Sequence, residues 1–213
     1  MCFLYPVNLI LDDKPCLVIG GGKVAYRKVK GLLAANAAVT VLAPILEEQL
    51  ILLKKAGKIR WLDKIYTEGD ITNYALVICA TDSEKINQAA AIEAKSKKIL
   101  INIVDCLPLC DFAVPAVIRR GDLLVTSSTN GKSPAMAREI RRELEKILDV
   151  GYAPFIEILA LLREEAMQAI PTFRQREVFW RDILNEDVLM LVRNGRLKEA
   201  EDKIRNAISS FRS

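Results

Sequence analysis

The sequence predicts an α/β fold with a doubly wound parallel sheet, followed by a β-hairpin with one helix and then by a small all-helical domain. Three observations predict it. Short apolar runs alternate with helical patterns as far as residue 104, the first of these runs opens directly into three glycines, and beyond residue 150 only helical patterns remain. We therefore expect three parts, over residues 1–112, 113–150 and 151–213.

The first apolar run, residues 17–19, ends in Gly20, Gly21 and Gly22, and an amphipathic helix follows. In the spacing G-x-G-x-x-G/A, Gly20 permits a sharp turn, Gly22 lets the backbone approach a pyrophosphate, and Ala25 lets the helix lie close to the sheet. The start of the helix also offers unpaired N–H groups to phosphates. The pattern predicts a Rossmann-like dinucleotide-binding domain over 1–112. The alternative is a glycine-rich turn in an α/β protein of another kind.

The other elements of this domain follow in order along the chain. Apolar and β-branched runs between turn residues predict the strands, and Asn36, Pro44 and Gly57 mark helix boundaries. Asp70 begins a loop or a short helix. The predicted strands also include residues 5–11, 39–42, 59–62, 75–80 and 99–104, and further helices cover 45–56 and 84–96, the latter with Ile86, Ala89, Ala90 and Ile92 available for burial.

A ligand of a doubly wound sheet lies outside the carboxyl ends of its strands. These ends are expected to bring residues 20–24, 43–45, 80–82 and 102–105 around one crevice. A dinucleotide site usually carries an acidic residue about 20 positions beyond the glycines, where it binds the ribose 2′-hydroxyl. Here the corresponding segment is Leu42-Ala43-Pro44, so the choice between NAD and NADP stays open at this point.

The pattern changes after residue 112. Residues 112–118 and 123–128 predict a β-hairpin around the turn 119–122, with Pro115 indicating an edge or a bulge. Ser133 and Pro134 predict the start of a helix that extends to about residue 148, with Ala137, Ile140, Leu144 and Ile147 on one face. A hairpin and one helix have little core of their own, so we expect segment 113–150 to find its partner in a second subunit.

Three helices are predicted in the last part, near 153–169, 172–184 and 186–208, with Pro171 and Gly195 as boundaries. Their apolar residues are interpreted as a packing face, not as a cofactor site. These are Phe155, Ile158, Leu162, Phe179, Trp180 and Leu184.

The composition restricts the chemistry. The chain has no histidine, which excludes histidine bases and imidazole metal ligands. Five cysteines without a C-x-x-C pair indicate reduced, mostly buried thiols, and no metal site is predicted, including at Cys106 and Cys110. The net charge of +4 suits an anionic ligand and does not by itself indicate nucleic acid. With no apolar run long enough for a membrane and no basic flank at the start, the sequence predicts a cytoplasmic protein.

An ordered series of motifs is more specific than any one of them. It comprises residues 18–28, 39–41, 43–44, 80–82, 102–105, 110–115, 127–128 and 131–134. This series resembles the precorrin-2 dehydrogenases, which form the N-terminal part of siroheme synthases. The resemblance is strong over residues 5–148 and weaker over the helical tail.

The resemblance implies an NAD-dependent oxidation of precorrin-2 to sirohydrochlorin, on the way to siroheme and sometimes cobalamin, by a homodimer that associates through 113–150. It implies that Asp105 is catalytic, and it adds Lys23, Val24, Pro44 and Ile45 to the cofactor site that the glycine pattern and strand ends predict at Gly20, Gly21, Gly22, Ala80 and Thr81. The serine-rich turn at Ser128 resembles the substrate-side loop of the family.

Precorrin-2 carries many carboxylates, so a basic rim formed from some of Lys23, Arg27, Arg119, Arg120, Lys132 and Arg138 could orient it. Asp105 could accept the proton that accompanies hydride transfer or hold a pyrrole N–H. For Asp105 the alternative is a cap or turn residue, and for Ser128 a turn hydroxyl.

Two other functions stay open. Some relatives also insert iron into sirohydrochlorin, and a chain of this length without an appended methyltransferase domain suits either a dehydrogenase or a dehydrogenase-chelatase. A non-catalytic NAD-sensing module is the other alternative, although the charge of the tail is mixed and no basic recognition helix indicates nucleic acid.

Overall fold

The computed structural model describes residues 4–211, which form two compact units. The first unit ends at Val114 and the second begins at Pro115. The boundaries at 112 and 150 that the sequence suggested stay predictions, and the first three and last two residues of the chain lie outside the described residues.

The first unit is built on a five-stranded parallel sheet in the order β3-β2-β1-β4-β5. Its strands are β1 (Pro15–Ile19), β2 (Ala38–Leu42), β3 (Arg60–Leu62), β4 (Leu76–Cys79) and β5 (Leu100–Ile103), and its helices are α1 (Lys23–Leu33), α2 (Glu48–Lys55) and α3 (Glu84–Lys97). The strand order reverses between β1 and β4, which is the topological switch point of a doubly wound sheet. The predicted fold class is confirmed.

The strands are buried on both faces, which explains their continuous apolar sequences. Along β1, Cys16 and Val18 face α1 and α2, whereas Leu17 and Ile19 face α3. Ala25 is fully buried against the first of these faces, so helix and sheet approach closely there, as the motif predicted.

The strand predicted at residues 5–11 is wrong, because residues 4–11 have no strand structure. Tyr5 is 86% exposed and Ile10 85%, and the neighbours of β1 in the sheet are already β2 and β4. Residues 4–11 therefore cannot pair with β1, the strand that follows them in the chain, because both of its sides are occupied.

Two helices differ from their predictions, α2 in its first residue and α3 in the residues that it buries. Helix α2 begins at Glu48 and not at residue 45, because the backbone before it lies extended against the glycine turn. Helix α3 buries Ala90, Glu93 and Ala94, whereas Ala89 is exposed and Ile92 is 72% exposed, so the predicted burial of Ala89 and Ile92 is wrong.

The second unit begins with the antiparallel hairpin of β6 (Ala116–Arg120) and β7 (Leu123–Ser127), which confirms the predicted hairpin. Helix α4 (Pro134–Ile147) follows, and the Ser133 hydroxyl caps it by accepting the N–H of Met136 at 3.2 Å. The helical tail comprises α5 (Tyr152–Ala169), α6 (Phe173–Ile183), α7 (Glu186–Arg193) and α8 (Leu197–Ser209).

The single helix predicted over 186–208 is two helices. Gly195 has φ +71°, and the N–H of Arg196 turns back to the Leu191 carbonyl at 2.8 Å, which ends α7. The break lets α7 and α8 contribute Val188, Val192, Ala200, Ile204 and Ile208 to one core together with α5 and α6.

Segment 113–150 has part of its core within the same unit. Leu123 of β7 packs against the helical core, and Nε of Arg120 donates to the Leu148 carbonyl at 3.1 Å. Within residues 4–211, none of the helices has the length and apolar character needed to cross a membrane.

Candidate functional site

The glycine turn joins the ends of three strands in the first unit. Gly20 has φ +123°, and a Cβ atom there would lie 2.2 Å from the Ala80 carbonyl oxygen. Its N–H donates to the Leu42 carbonyl at 2.9 Å, and the Ala80 N–H donates to Ile19 at 2.8 Å. Only glycine combines this backbone angle with this close approach.

Gly21 holds the segment after β2 against the turn. A Cβ atom on Gly21 would lie 1.9 Å from the Ile45 carbonyl oxygen, and the Gly21 carbonyl accepts the N–H of Glu47 at 2.8 Å. On the far side of this segment, the Trp61 indole N–H donates to the Ala43 carbonyl at 2.8 Å. These contacts make residues 43–47 one wall of the site.

Gly22 faces open space at the start of α1. It is the N-cap residue, and a Cβ atom there would meet no described atom within 4 Å. The first N–H groups of a helix have no acceptor within the helix and carry a partial positive charge. The turn therefore fits a pyrophosphate that approaches the backbone at Gly22.

These elements enclose a cleft of about 680 Å³, a size typical of sites for small molecules and cofactors. Its apolar walls include Ile45 and Ile65, both largely exposed. Every residue of the predicted cofactor set lies in its lining: Gly20, Gly21, Gly22, Lys23, Val24, Pro44, Ile45, Ala80 and Thr81. That these residues bind a cofactor stays a prediction.

Several residues of this lining were not predicted from the sequence, notably Glu47, Lys64 and Tyr66. Lys64 is held by the Asp70 carboxylate at 2.8 Å. Burial raises the pKa of Asp70, but the hydrogen bonds from Lys64 and Thr67 outweigh it, so that this pKa is lowered overall. Glu47 could have been found from the sequence, because it is the first acidic residue after β2.

Asp105 lies in a turn directly after β5, with its backbone at φ +60°. It is exposed, and residues 102–105 are not among those that line the cleft, which differs from the expectation that all four strand ends would surround it. Asn102 is buried instead, with its amide donating to the Phe112 carbonyl at 2.9 Å. The catalytic role of Asp105 stays a prediction.

Lys28 of α1 lies within electrostatic reach of Asp105. Burial lowers the pKa of the Lys28 ammonium, and the charge of Arg27 lowers it further, whereas Asp105 and Cys110 act in the opposite direction. The Lys28 side chain is therefore placed near the predicted catalytic carboxylate of Asp105.

Cys16, Cys79 and Cys110 of this unit are poor nucleophiles. Burial raises the pKa of the Cys16 thiol to about 11 and that of Cys79 to about 12. Sγ of Cys110 accepts the N–H of Ile103 at 3.0 Å, and burial raises its pKa as well. Among residues 4–211 no group of three or more potential metal ligands of the His, Cys, Asp and Glu types is present.

The predicted substrate residues belong to the second unit. Arg119 and Arg120 end β6, and Arg120 uses Nε for the Leu148 carbonyl and Nη1 for the Arg119 carbonyl. Ser128 is exposed, and its hydroxyl accepts the N–H of Asn130 at 3.3 Å, which is a turn contact. Lys132 is exposed at the end of the same turn. Their roles toward a substrate stay predictions.

Family models match most of the chain. A model described as "Putative NAD(P)-binding" matches residues 7–116, one described as sirohaem biosynthesis protein central matches 120–147, and one described as sirohaem synthase dimerisation region matches 151–208. The match named for dimerisation therefore lies after the segment 113–150 to which the sequence analysis assigned that role.

Curated relatives and a solved structure agree with these matches. The siroheme synthase of Methylococcus capsulatus is 41% identical over 92% of this chain and 41% of its own length, and that of Methylobacillus flagellatus is 35% identical over 96% and 44%. The chain thus spans about two fifths of the length of these relatives. The solved structure of SirC, precorrin-2 dehydrogenase, matches with a TM-score of 0.74 and 25% identity, over 95% of this chain and 100% of that one. By these matches the chain belongs to the NAD(P)-binding family shared by siroheme synthases and precorrin-2 dehydrogenase, the family that its motifs resemble.

Proposed function

We propose that this chain binds NAD in the cleft of its first unit and oxidises precorrin-2 to sirohydrochlorin in siroheme biosynthesis. The observation that carries the proposal is the position of the predicted cofactor residues, which line one cleft around the glycine turn at the switch point of the sheet. The substrate is inferred from the name of SirC, precorrin-2 dehydrogenase, and from the siroheme synthases that the chain resembles.

The chain's own contribution to cofactor binding is positional and electrostatic. Bound NAD supplies the hydride acceptor. The glycine turn and the first N–H groups of α1 bind the pyrophosphate, with the Lys23 side chain at the first position of that helix. The exposed side chains of Ile45 and Ile65 provide apolar contact to a base.

The oxidation removes a hydride and a proton from precorrin-2, so the protein needs a group that takes the proton or fixes the ring. We assign this role to the exposed carboxylate of Asp105. Arg119, Arg120, Lys132 and Ser128 of the second unit are proposed to bind substrate carboxylates. We further propose a cytoplasmic homodimer.

An anaerobic assay with enzymatically generated precorrin-2 and NAD tests the proposal, with sirohydrochlorin absorbance as the readout. The informative variant is Asp105→Asn, because asparagine tolerates the left-handed backbone at this turn while it removes the charge. We expect its rate to fall by about 100-fold or more while its thermal stability stays that of the wild type.

The matched control is Asp13→Asn, since Asp13 is also an exposed aspartate with a left-handed backbone, at φ +53°. Its rate should equal that of the wild type. If folded wild type that binds NAD yields no sirohydrochlorin, the dehydrogenase proposal fails and the NAD-sensing alternative gains support. Adding Fe²⁺ to the completed reaction tests the dehydrogenase-chelatase alternative.

A further inference from the structure

The end of β2 has no acidic residue, yet an acidic side chain reaches the cofactor cleft from the next element. Glu47 is the first acidic residue after β2, lies at the N-cap of α2 and belongs to the lining of the cleft. Its Oε1 atom is buried, and no hydrogen-bond partner for it exists within residues 4–211. A buried carboxylate oxygen without a donor is unfavourable.

The backbone of Glu47 is fixed to the glycine turn. Its N–H donates to the Gly21 carbonyl at 2.8 Å, and its own carbonyl accepts the N–H groups of Leu50 at 3.0 Å and Ile51 at 3.1 Å. The side chain makes no capping bond to α2. The backbone of Glu47 is thus fixed beside the glycine turn, while its side chain does not cap helix α2.

The carboxyl group of Glu47 favours a neutral hydroxyl donor over a further anion at its own place in the cleft. The Lys64 ammonium in the same lining is engaged by Asp70 at 2.8 Å and by Thr67 at 3.2 Å. The Glu47 oxygen that lacks a partner is thus left as an unused hydrogen-bond acceptor. A ribose hydroxyl would donate to it after a side-chain rotation, whereas a 2′-phosphate would be repelled.

We propose that Glu47 selects NAD over NADP, because its carboxylate accepts a hydrogen bond from a hydroxyl of the adenosine ribose. It would do so in place of the acidic residue that usually ends the second strand. This inference rests on the proposed binding of a nicotinamide dinucleotide in the cleft.

Titration calorimetry of the full chain with NAD and with NADP tests it without a turnover measurement. The wild type should bind NAD more tightly than NADP. In Glu47→Ala the Kd for NAD should rise about 10-fold, because a hydrogen bond to a charged group is lost. In Glu47→Gln the affinity for NADP should rise, so that the ratio of the two Kd values falls about 10-fold.

The matched control is Glu48→Gln, which removes the same charge from the neighbouring exposed position in the first turn of α2 and should leave both Kd values unchanged. Circular dichroism melting verifies that each variant folds. The inference is overturned, and the proposed function still stands, if the wild type binds both dinucleotides equally and Glu47→Gln does not change this. The same holds if the wild type prefers NADP and Lys64→Gln abolishes that preference. If the folded wild type binds neither dinucleotide, the proposed function fails with it.

Discussion

At the scale of single residues, the glycines of the turn meet three different physical requirements. Gly20 is needed for its left-handed backbone and for its approach to Ala80, and Gly21 for its contact with the Ile45 carbonyl. Gly22 has ordinary backbone angles and open space around its Cα. The first two are therefore required by the folded chain itself, whereas Gly22 is explained only by a ligand that approaches the backbone there.

This difference predicts opposite outcomes for two alanine substitutions. Gly20→Ala should lower the free energy of unfolding by about 2–4 kcal/mol, because it combines backbone strain with a clash against backbone atoms. Gly22→Ala should change it by no more than about 0.5 kcal/mol yet weaken NAD binding clearly. Urea unfolding and titration calorimetry measure the two quantities. Unchanged NAD affinity in Gly22→Ala would contradict a pyrophosphate position beside this residue.

At the scale of elements, a buried pair fastens the segment after β3 to helix α3. The Tyr66 hydroxyl donates to Oε2 of Glu93 at 2.5 Å, and the Gly69 N–H donates to Oε1 at 3.0 Å. Both side chains are buried, and Tyr66 also lines the cleft. The burial of Glu93 could not be predicted from the apolar pattern of α3, because glutamate is a charged residue. The segment that follows β3 is held by hydrogen bonds to this carboxylate.

This pair predicts a loss of stability at alkaline pH. Burial raises the pKa of Tyr66, and the hydrogen bond and negative charge of Glu93 raise it further. The folded state therefore keeps the phenol protonated while the unfolded chain ionises near pH 10, so this contribution is complete below about pH 10 and declines above it. Tyr66→Phe should lower the free energy of unfolding by about 1–3 kcal/mol at neutral pH, because Glu93 loses a donor.

The difference between wild type and Tyr66→Phe should shrink by about 1 kcal/mol at pH 10.5, as urea unfolding would measure. The buried thiols of Cys16 and Cys79 also have raised pKa values, so they too make the folded protein less stable as the pH rises. This effect is equal in the wild type and in Tyr66→Phe. Tyr5→Phe is the control, since Tyr5 is an exposed tyrosine. A difference that stays constant with pH would contradict the assignment to Tyr66.

Elements were predictable where the sequence pattern is local. The step from β1 through the glycine turn into α1 follows from adjacent residues, and so does the Ser133 cap of α4. Predictions were wrong where contacts with residues distant in the sequence determine the local structure. Residues 5–11 lack a strand beside them, and α2 starts late because Glu47 bonds to Gly21.

At the scale of the whole molecule, the parallel sheet explains why the residues of the predicted cofactor set line one cleft. The carboxyl ends of β1, β2 and β4 meet at one edge, so residues far apart in sequence reach the same cleft. Glu47 was missed because its place depends on a contact across the turn and not on the strand pattern. The predicted substrate residues lie in a unit with a separate core, and no periodicity links them to the sheet.

The proposed homodimer predicts an effect of charge on α4. Met136, Ile140 and Ile147 share one face of this helix and are 55%, 41% and 49% exposed, although Ala137 at the edge of that face is buried. An apolar face of this kind marks a contact surface. If segment 113–150 carries the interface, Ile140→Glu combined with Ile147→Glu should weaken the dimer by about 100-fold or more, because two charges would be buried without partners.

Sedimentation equilibrium across a range of concentrations measures this constant. The matched control is Ile92→Glu, which adds a charge at an exposed isoleucine of α3 in the first unit and should leave the dimer intact. The helical tail supplies the competing expectation, since residues 151–208 match the region named for dimerisation. A dimer that survives both α4 charges would move the interface to that tail, because an interface centred on α4 could not tolerate them.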